Sequence, residues 1–234
     1  MIVGVMATSE ENTTKKYCSL AKVVGALVAA ESFDLLTGGG DGLMKVVGQE
    51  FLNTKGRSGK LISILRAKGT AHLTGLWDKN GNFYPNEVVP QAKLDKKMRE
   101  LIRNRAEATK RDWKENADNG QAEILIRTHL PYSGEELGVH DLSRNHINIL
   151  TSDLIIILPG GGGTLSELQL SYDYDKPTAV FLNGGDVGGK NANQIGTDFA
   201  GVTIAQTEDQ LRAWLQSSRT SLMAGKQHSR GRFT

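Results

Sequence analysis

The sequence predicts an α/β protein whose mostly parallel sheet is doubly wound, with helices on both faces. Short apolar runs alternate with amphipathic segments along most of the chain. Two clusters of glycine each stand between an apolar run and a segment with helical spacing. A length of 234 residues suffices for one large domain. These observations favour a single α/β domain over residues 1–216.

The first part of the chain contains three predicted strands, at residues 2–6, 33–36 and 61–65. Each is a short apolar run of the kind that is buried in a parallel sheet. Between the first two strands, cap-type residues at 8–12 precede apolar residues at helical spacing, namely Leu20, Val23, Val24, Leu27 and Val28. A second helix is predicted at 43–53. The pattern is strand–helix–strand–helix–strand.

The same alternation resumes after residue 122. Four further strands are predicted at 123–128, 154–158, 178–182 and 202–205, and the run at 154–158 is apolar enough to be the central strand. Helices are predicted at 142–150 and 165–174. A last amphipathic helix opens at Thr207 and carries Leu211, Trp214 and Leu215. Six or seven strands therefore belong to the sheet.

Two segments fall outside this scheme. Residues 66–122 form an insertion with a predicted hairpin around Asn80–Gly81 and a charged helix at 91–118. The apolar stripe of that helix either packs on the core or on another subunit, or forms a lid over a ligand; its members are Leu94, Met98, Leu101, Ile102 and Trp113. Residues 217–234 are basic without an acidic residue, and we expect them to be disordered.

Composition excludes several classes of protein. A formal net charge of +2 gives no support to a nucleic-acid or membrane partner. The single cysteine, Cys18, excludes an intrachain disulfide framework and a cysteine-based zinc site. His140 and His146 lack a metal-ligand pattern. With no apolar run of roughly 18 residues and no secretory signal, a cytoplasmic protein is expected.

The two glycine clusters, Gly38–Gly42 and Gly160–Gly163, predict a binding site for a phosphate group. Each follows a strand and precedes a helix, whose N-terminus offers unpaired N–H groups and the positive end of the helix dipole. Glycines also permit tight turns and close packing, which is the alternative explanation. Neither cluster is a Walker A loop or a Gly-x-Gly-x-x-Gly loop. A mononucleotide or another phosphorylated small molecule is therefore the expected ligand, with Gly39, Gly40, Gly160, Gly161, Gly162, Gly163 and Thr164 as its contacts.

Arg144 and Glu167 are the candidate catalytic residues. The helix that follows Arg144 runs away from the carboxyl edge of the sheet and the next strand returns to it, so both side chains reach one edge. A carboxylate can stabilise positive charge at a sugar anomeric carbon or activate water, and an arginine can hold phosphate or ribose. Alternatively, Glu167 complements a helix dipole and Arg144 pairs with Asp141. Asp153 is expected to be structural.

The glycine motifs resemble those of the LONELY GUY family, whose members have also carried the label "possible lysine decarboxylase". Residues 159–167 read Pro-Gly-Gly-Gly-Gly-Thr-Leu-Ser-Glu and match the family signature Pro-Gly-Gly-x-Gly-Thr-x-x-Glu. Residues 38–44, ending in Met44, resemble its other glycine signature. The resemblance implies a Rossmann-like fold, a homodimer, and hydrolysis of a nucleoside 5′-monophosphate to free base and ribose 5-phosphate. It implies catalysis by Arg144 and Glu167, a nucleotide contact at Met44, and no metal or organic cofactor.

The sequence also departs from the family pattern. The family's Met-His-x-Arg-Lys stretch reads Asp-Leu-Ser-Arg-Asn at 141–145, and Gly162 replaces a residue that is often aromatic. Related proteins with this fold carry the molybdenum cofactor, a pterin phosphate, or are presumed nucleotide sensors. A non-catalytic carrier or sensor is therefore the alternative to the phosphoribohydrolase.

Overall fold

The computed structural model describes residues 1–66, 75–77, 83–85, 119–128, 130, 138–139 and 143–230. They form nine strands and six helices. The strands are β1 (Ile2–Met6), β2 (Asp34–Thr37), β3 (Leu61–Leu65), β4 (Gly75–Trp77), β5 (Phe83–Pro85), β6 (Ile124–Arg127), β7 (Leu154–Ile157), β8 (Thr178–Phe181) and β9 (Thr203–Ala205). The helices are α1 (Glu11–Ala30), α2 (Leu43–Asn53), α3 (Asn145–Thr151), α4 (Gly162–Asp173), α5 (Ala192–Asp198) and α6 (Glu208–Arg230).

Seven of the strands form one parallel sheet in the order β6-β3-β2-β1-β7-β8-β9. The chain builds outward from β1 to β6 on one side and from β7 to β9 on the other, which confirms the doubly wound prediction. The order reverses between β1 and β7, where Val3 pairs with Leu154. In such sheets a crevice opens at this reversal, outside the carboxyl ends of the strands. In the chain, the two glycine clusters come after β2 and β7, and Arg144 and Glu167 precede and follow β7, so the candidate site residues belong to this edge of the sheet.

The sheet separates two hydrophobic cores because successive strand residues point to opposite faces. In β7, Leu154 and Ile156 face the core shared with α1, α2 and α6, whereas Ile155 and Ile157 face the core shared with α3, α4 and α5. All four side chains are fully buried. A strand that is apolar on both faces is therefore required at this central position.

Helices α1 and α2 pack closely at Gly25. A Cβ atom there would overlap the carbonyl oxygen of Val47 and lie 3.1 Å from the backbone nitrogen of Phe51. We expect Gly25→Ala to lower the free energy of unfolding by about 1–3 kcal/mol, because backbone cannot yield as a flexible side chain does. Urea denaturation measures the loss.

The matched control is Gly196→Ala in α5, where the nearest atom to an added Cβ is Ile204 Cγ1 at 3.7 Å. That change is expected to be neutral or to stabilise by up to about 1 kcal/mol through helix propensity. Equal stability changes in the two variants would contradict the packing argument.

The prediction of a disordered tail from Ser217 is wrong, because α6 continues to Arg230. Leu222 is partly buried against the same core as Leu211 and Leu215, at helical spacing from them. The Arg219 guanidinium donates to the Glu31 carbonyl and lies 4.0 Å from the ring centroid of Phe33. Charge counting missed these contacts. Residues 231–234 lie outside the described residues.

The predicted hairpin of the insertion is confirmed by the antiparallel pairing of β4 with β5, in which Trp77 pairs with Phe83. Its turn and the predicted helix at 91–118 lie outside the described residues. Helix α5 was not predicted, although Asn191 and Gln194 form a capping box that the sequence displays. Among the described helices, none is long and apolar enough to cross a membrane.

Candidate functional site

The N-terminus of α4 lies at the carboxyl edge next to the sheet reversal. The helix begins at Gly162, three residues earlier than predicted, so two residues of the glycine cluster form its first turn. Gly161 is the N-cap and supplies no capping side chain. Within the described part of the chain, no hydrogen bond engages the N–H groups of Gly161, Gly162 or Gly163, and the first bond back is from Leu165 N–H to the Gly161 carbonyl at 3.1 Å. Open N–H groups at a helix N-terminus favour an anion.

The corresponding end of α1 is closed to an anion. There the Glu10 carboxylate accepts hydrogen bonds from Asn12 N–H at 2.8 Å and Thr13 N–H at 2.6 Å. A negative group therefore already occupies the helix end that receives the pyrophosphate in dinucleotide-binding folds. This agrees with the absence of a Gly-x-Gly-x-x-Gly loop after β1 and favours α4 for the phosphate.

The residues of the second glycine cluster differ in their surroundings. Gly160 is held in place, since its N–H donates to the Asp186 carbonyl at 3.0 Å and its carbonyl accepts from Gly188 N–H at 2.8 Å. A Cβ on Gly160 would overlap the buried side chain of Thr164. A Cβ on Gly161, in contrast, would meet no atom of the described residues within 4 Å. Gly161 thus borders open space, while Gly160 and Thr164 support the loop.

The first glycine cluster is packed on several sides. The Arg144 guanidinium lies against Gly38, and the N–H of Gly39 already donates to Thr37 Oγ1 at 3.2 Å. Asn119 holds the carbonyls of Gly39 and Gly40, by its N–H at 3.2 Å and its side-chain amide at 2.9 Å. These contacts favour close packing as the reason for glycine here.

Two other positions of this cluster face the protein interior. Gly42 has a φ of +72° and abuts the backbone of residues 8 and 9. Met44 is buried in the core and its methyl group lies beneath Gly40. Ligand contacts at Gly39, Gly40 and Met44 remain predictions.

Arg144 directly precedes α3 and extends across the ends of neighbouring strands. Its Nη1 donates to the Ile64 carbonyl of β3 at 3.0 Å, and its Nε is buried without a partner among the described residues. Burial lowers the pKa of Arg144, the charge of Glu167 opposes that change, and Arg66 adds to it. Asp141 lies outside the described residues. The guanidinium is therefore fixed at the carboxyl edge, against the first glycine cluster.

Glu167 is a buried carboxyl group, only 7% exposed. Its Oε1 accepts one hydrogen bond, from Asn148 Nδ2 at 3.4 Å, and no basic nitrogen in the described residues lies within 4.0 Å of it. Burial raises its pKa to about 6, although Arg144 and Asn148 act in the opposite direction. A helix dipole acts most strongly in the first turn of a helix. Because α4 begins at Gly162, Glu167 lies beyond that turn. The dipole explanation is thereby weakened.

Polar side chains that the sequence analysis missed connect α3 to α4. Asn145 Nδ2 donates to Ser166 Oγ at 3.2 Å, and Ser166 donates to the Gly163 carbonyl at 2.7 Å. Asn148 supplies the donor to Glu167. Asn145 and Asn148 come one and four residues after Arg144, at the same end of the predicted helix, and this spacing is the sequence signal that could have identified them. Burial of their amides depends on tertiary packing.

Other predicted residues have structural roles. Asp153 Oδ2 accepts from Ile2 N–H of β1 at 2.8 Å, which agrees with its expected structural role. His146 Nδ1 and the Tyr174 hydroxyl form a hydrogen bond of 2.6 Å. The described residues contain no group of three or more His, Cys, Asp or Glu that could hold a metal ion.

A cavity of about 380 Å³ beyond β8 and β9 is lined by neither Arg144 nor Glu167.

The fold and this edge define a Rossmann-like α/β protein in which a helix N-terminus with open N–H groups lies at the same sheet edge as an arginine and a buried glutamate. The chain belongs to the SLOG cluster4 family, whose profile matches residues 1–75 and 109–213. The fold is therefore a relative of that of the LONELY GUY proteins. None of the curated proteins matches the chain.

Solved structures share the fold over most of their length. The molybdenum cofactor binding protein from the phototrophic bacterium Rippkaea orientalis is 22% identical, with a TM-score of 0.58 over 92% of this chain and 95% of that one. The molybdenum cofactor carrier protein of Chlamydomonas reinhardtii is 17% identical, with a TM-score of 0.57 over 94% and 98%. DNA processing protein A from Helicobacter pylori, described with single-stranded DNA, is 13% identical, with a TM-score of 0.52 over 93% and 80%. At these identities the similarity shows the fold.

The raised pKa of Glu167 predicts a pH-dependent stability change in Glu167→Gln. A folded-state pKa of about 6 against 4.5 means that protonated Glu167 stabilises the protein below pH 4.5, and this stability is lost as pH rises through 6. Gln retains an acceptor for Asn148 and carries no charge. We expect the variant to exceed the parent in free energy of unfolding by about 2 kcal/mol at pH 8 and to equal it at pH 4.

The control for this titration is Glu123→Gln. Burial raises the pKa of Glu123, but hydrogen bonds from Leu61 N–H, Arg57 and Lys60 outweigh it and the net direction is down. Its contribution is present above the unfolded pKa and lost on acidification, so this variant is expected to be destabilised at pH 8 only. Denaturant unfolding at both pH values checks both. A Glu167→Gln variant no more stable than the parent at pH 8 would contradict the assigned environment.

Proposed function

We propose that the protein hydrolyses the N-glycosidic bond of a nucleoside 5′-monophosphate, releasing a free base and ribose 5-phosphate. The observation that carries this proposal is Glu167, a buried carboxyl that has no ion pair among the described residues and a pKa of about 6, close to the open N-terminus of α4. Such a group destabilises the fold when ionised. Its presence beside an anion-binding helix end is better explained by chemistry than by stability.

The N–H groups of Gly161, Gly162 and Gly163 would bind the phosphate of the substrate. Among the described residues these N–H groups have no hydrogen-bond partner and no atom lies within 4 Å of a Cβ built on Gly161, and the groups lie at the positive end of the helix dipole. Gly39 and Gly40 would contribute from the other cluster. Arg144 would orient the phosphoribosyl group, because its guanidinium is fixed by the Ile64 carbonyl at the same edge. The phosphate thereby places the anomeric carbon relative to Glu167.

The reaction exchanges one bond at the anomeric carbon. The C1′–N bond breaks with both electrons leaving on the base, and positive charge develops on the ribose ring. The Glu167 carboxylate would stabilise that charge and accept a proton from the attacking water, whose oxygen forms the new bond to C1′. The departing base takes up a proton from solvent. With a pKa of about 6, Glu167 is mostly ionised at pH 7 and ready to act as base.

The proposal is tested by incubating the purified protein with a panel of purine and pyrimidine nucleoside 5′-monophosphates. Free base is quantified by chromatography and ribose 5-phosphate by a coupled assay, and both are expected in equal amounts. The matching nucleosides without phosphate serve as controls and are expected to react poorly, because they lack the group that α4 binds. Absence of both products for every monophosphate would contradict the proposal.

The pH dependence of turnover follows from the ionisation of Glu167. Since the carboxylate form is required, kcat is expected to be half-maximal near pH 6, to approach a fall of about tenfold per pH unit below about pH 5, and to level off above about pH 7. Initial rates at saturating nucleotide between pH 4.5 and 8 measure this. A rate that is independent of pH across 6 would exclude Glu167 as the base.

A non-catalytic carrier is the second candidate function. It is supported by the structural similarity, over more than nine-tenths of both chains, to a molybdenum cofactor binding protein and a molybdenum cofactor carrier protein. In that case α4 would hold the phosphate of a pterin without cleaving a bond. Mass spectrometry of the purified protein distinguishes the two, since a carrier retains a stoichiometric phosphorylated ligand and releases no base.

A further inference from the structure

Asn148 contacts Glu167 from the interior of the protein. It is fully buried in α3, and its side-chain Nδ2 donates to Glu167 Oε1 at 3.4 Å. Its backbone N–H continues the helix by donating to the Arg144 carbonyl at 3.1 Å. Asn148 is thus one helical turn from Arg144, with its amide directed at the carboxyl group of α4.

The other half of this amide is left unsatisfied. Asn148 Oδ1 is buried and has no hydrogen-bond partner in the described part of the chain. A buried acceptor without a donor destabilises the fold, and an apolar side chain of similar size would avoid that penalty. The flipped amide would direct Oδ1 at the Glu167 carboxylate, where two acceptors repel. The observed orientation therefore directs the Nδ2 donor of Asn148 at Glu167 and leaves its Oδ1 without a hydrogen bond among the described residues.

We propose that Asn148 is a positioning residue, whose amide orients the Glu167 carboxylate and stabilises its ionised form. The consequence for catalysis rests on the proposed function, whereas the effect on Glu167 itself does not. Without the amide, burial would act on the carboxyl group with less opposition. The ionised fraction of Glu167 near neutral pH would then fall.

Among the described residues, few charged groups act on Glu167. Arg144 acts on it from the start of α3. His146, on the same helix, bonds to Tyr174 instead. Strands β1 and β7, on which α4 packs, contain no titratable side chain, and Asp41 of the first glycine cluster pairs with Lys45 at 3.0 Å. Asn148 is therefore the neutral side chain whose removal changes the balance at Glu167 most directly.

Asn145 provides a matched comparison on the same helix. It is also buried, it also has an unpartnered Oδ1, and its Nδ2 also donates to α4. Its acceptor, however, is Ser166 Oγ rather than the carboxyl group. A purely structural role for these amides predicts similar effects from replacing either one. The proposal predicts an effect on Glu167 from Asn148 alone.

The experiment is a ¹³C NMR titration of glutamate side-chain carboxyls in the full chain, with Glu167→Gln identifying the resonance. We expect Asn148→Leu to move the titration midpoint of Glu167 upward by about half a pH unit or more, and Asn145→Leu to leave it unchanged. If Asn148→Leu does not fold, Asn148→Ala removes the same donor with less bulk. An unmoved midpoint in the folded Asn148 variant, or equal shifts from Asn145 and Asn148, would overturn the proposal.

Turnover supplies a separate readout. In the Asn148 variant the acid limb of the kcat–pH profile is expected to move upward with the NMR midpoint, while KM stays within about threefold, since phosphate contacts are unchanged. A kcat limb that does not follow the midpoint contradicts the catalytic consequence. Absence of turnover in the parent contradicts the proposed function, and the NMR titration still decides the role of Asn148.

Discussion

Glu167→Gln is expected to abolish turnover, with a loss of at least about 1000-fold in kcat. The carboxylate acts on charge that develops at the anomeric carbon only in the transition state, and an amide cannot accept the proton from water. Nucleotide affinity is expected to stay within about tenfold, or roughly 1.4 kcal/mol, because the N–H groups of α4 are untouched. Initial rates and calorimetric titration measure the two quantities.

The control for this variant is Asp173→Asn on the same helix. Asp173 is exposed, and its side chain accepts from Gln169 Nε2 at 2.7 Å, which an amide oxygen can replace. It is expected to match the parent in rate. A Glu167→Gln variant that retains more than a tenth of the parental kcat would show that the carboxylate is not the catalytic group.

Gly161→Asp is expected to weaken nucleotide binding by about 100-fold or more while leaving the fold intact. Gly161 is the N-cap of α4 with extended backbone, and a Cβ there would meet no atom of the described residues within 4 Å. Aspartate is a favoured N-cap, so its carboxylate would satisfy the open N–H groups and occupy the place of the phosphate. Stability and ligand binding are thus expected to change independently.

Two variants separate charge from size at this position. Gly161→Asn caps the helix without a charge and is expected to lose less affinity than Gly161→Asp, and Gly161→Ala less than either. Calorimetric titration with a nucleoside monophosphate and thermal unfolding measure the series. Parental affinity in a folded Gly161→Asp protein would show that the phosphate binds elsewhere.

The sheet could be predicted because its strands carry strong local signals. Residues 154–157 are apolar on both faces, and only a central parallel strand buries both faces at once. Six other strands matched to within two residues at each end. Helix α6 shows the limit of composition, since the basic segment after Ser217 is held by Leu222 against the hydrophobic core and by Arg219 through Glu31 and Phe33.

The candidate site residues come from the sequence, whereas their surroundings in the folded protein could not be predicted from it. Glycine is a poor helix former, so Gly162 and Gly163 read as loop, although they form the first turn of α4. Because the helix begins earlier than predicted, Glu167 lies beyond its first turn, and an interaction with the helix dipole explains its charge less well. The burial of the Asn145 and Asn148 amides depends on the packing of α3 against α4. It could not be predicted from the sequence, because no local pattern distinguishes a buried asparagine from a solvated one.

A crystal structure with ribose 5-phosphate would show whether α4 binds a phosphate and thereby places a sugar carbon before Glu167. We predict phosphate oxygens within about 3 Å of the backbone nitrogens of Gly161, Gly162 and Gly163, with the anomeric carbon facing the Glu167 carboxyl group. A phosphate bound away from this helix end, for example in the cavity beyond β8 and β9, would contradict it.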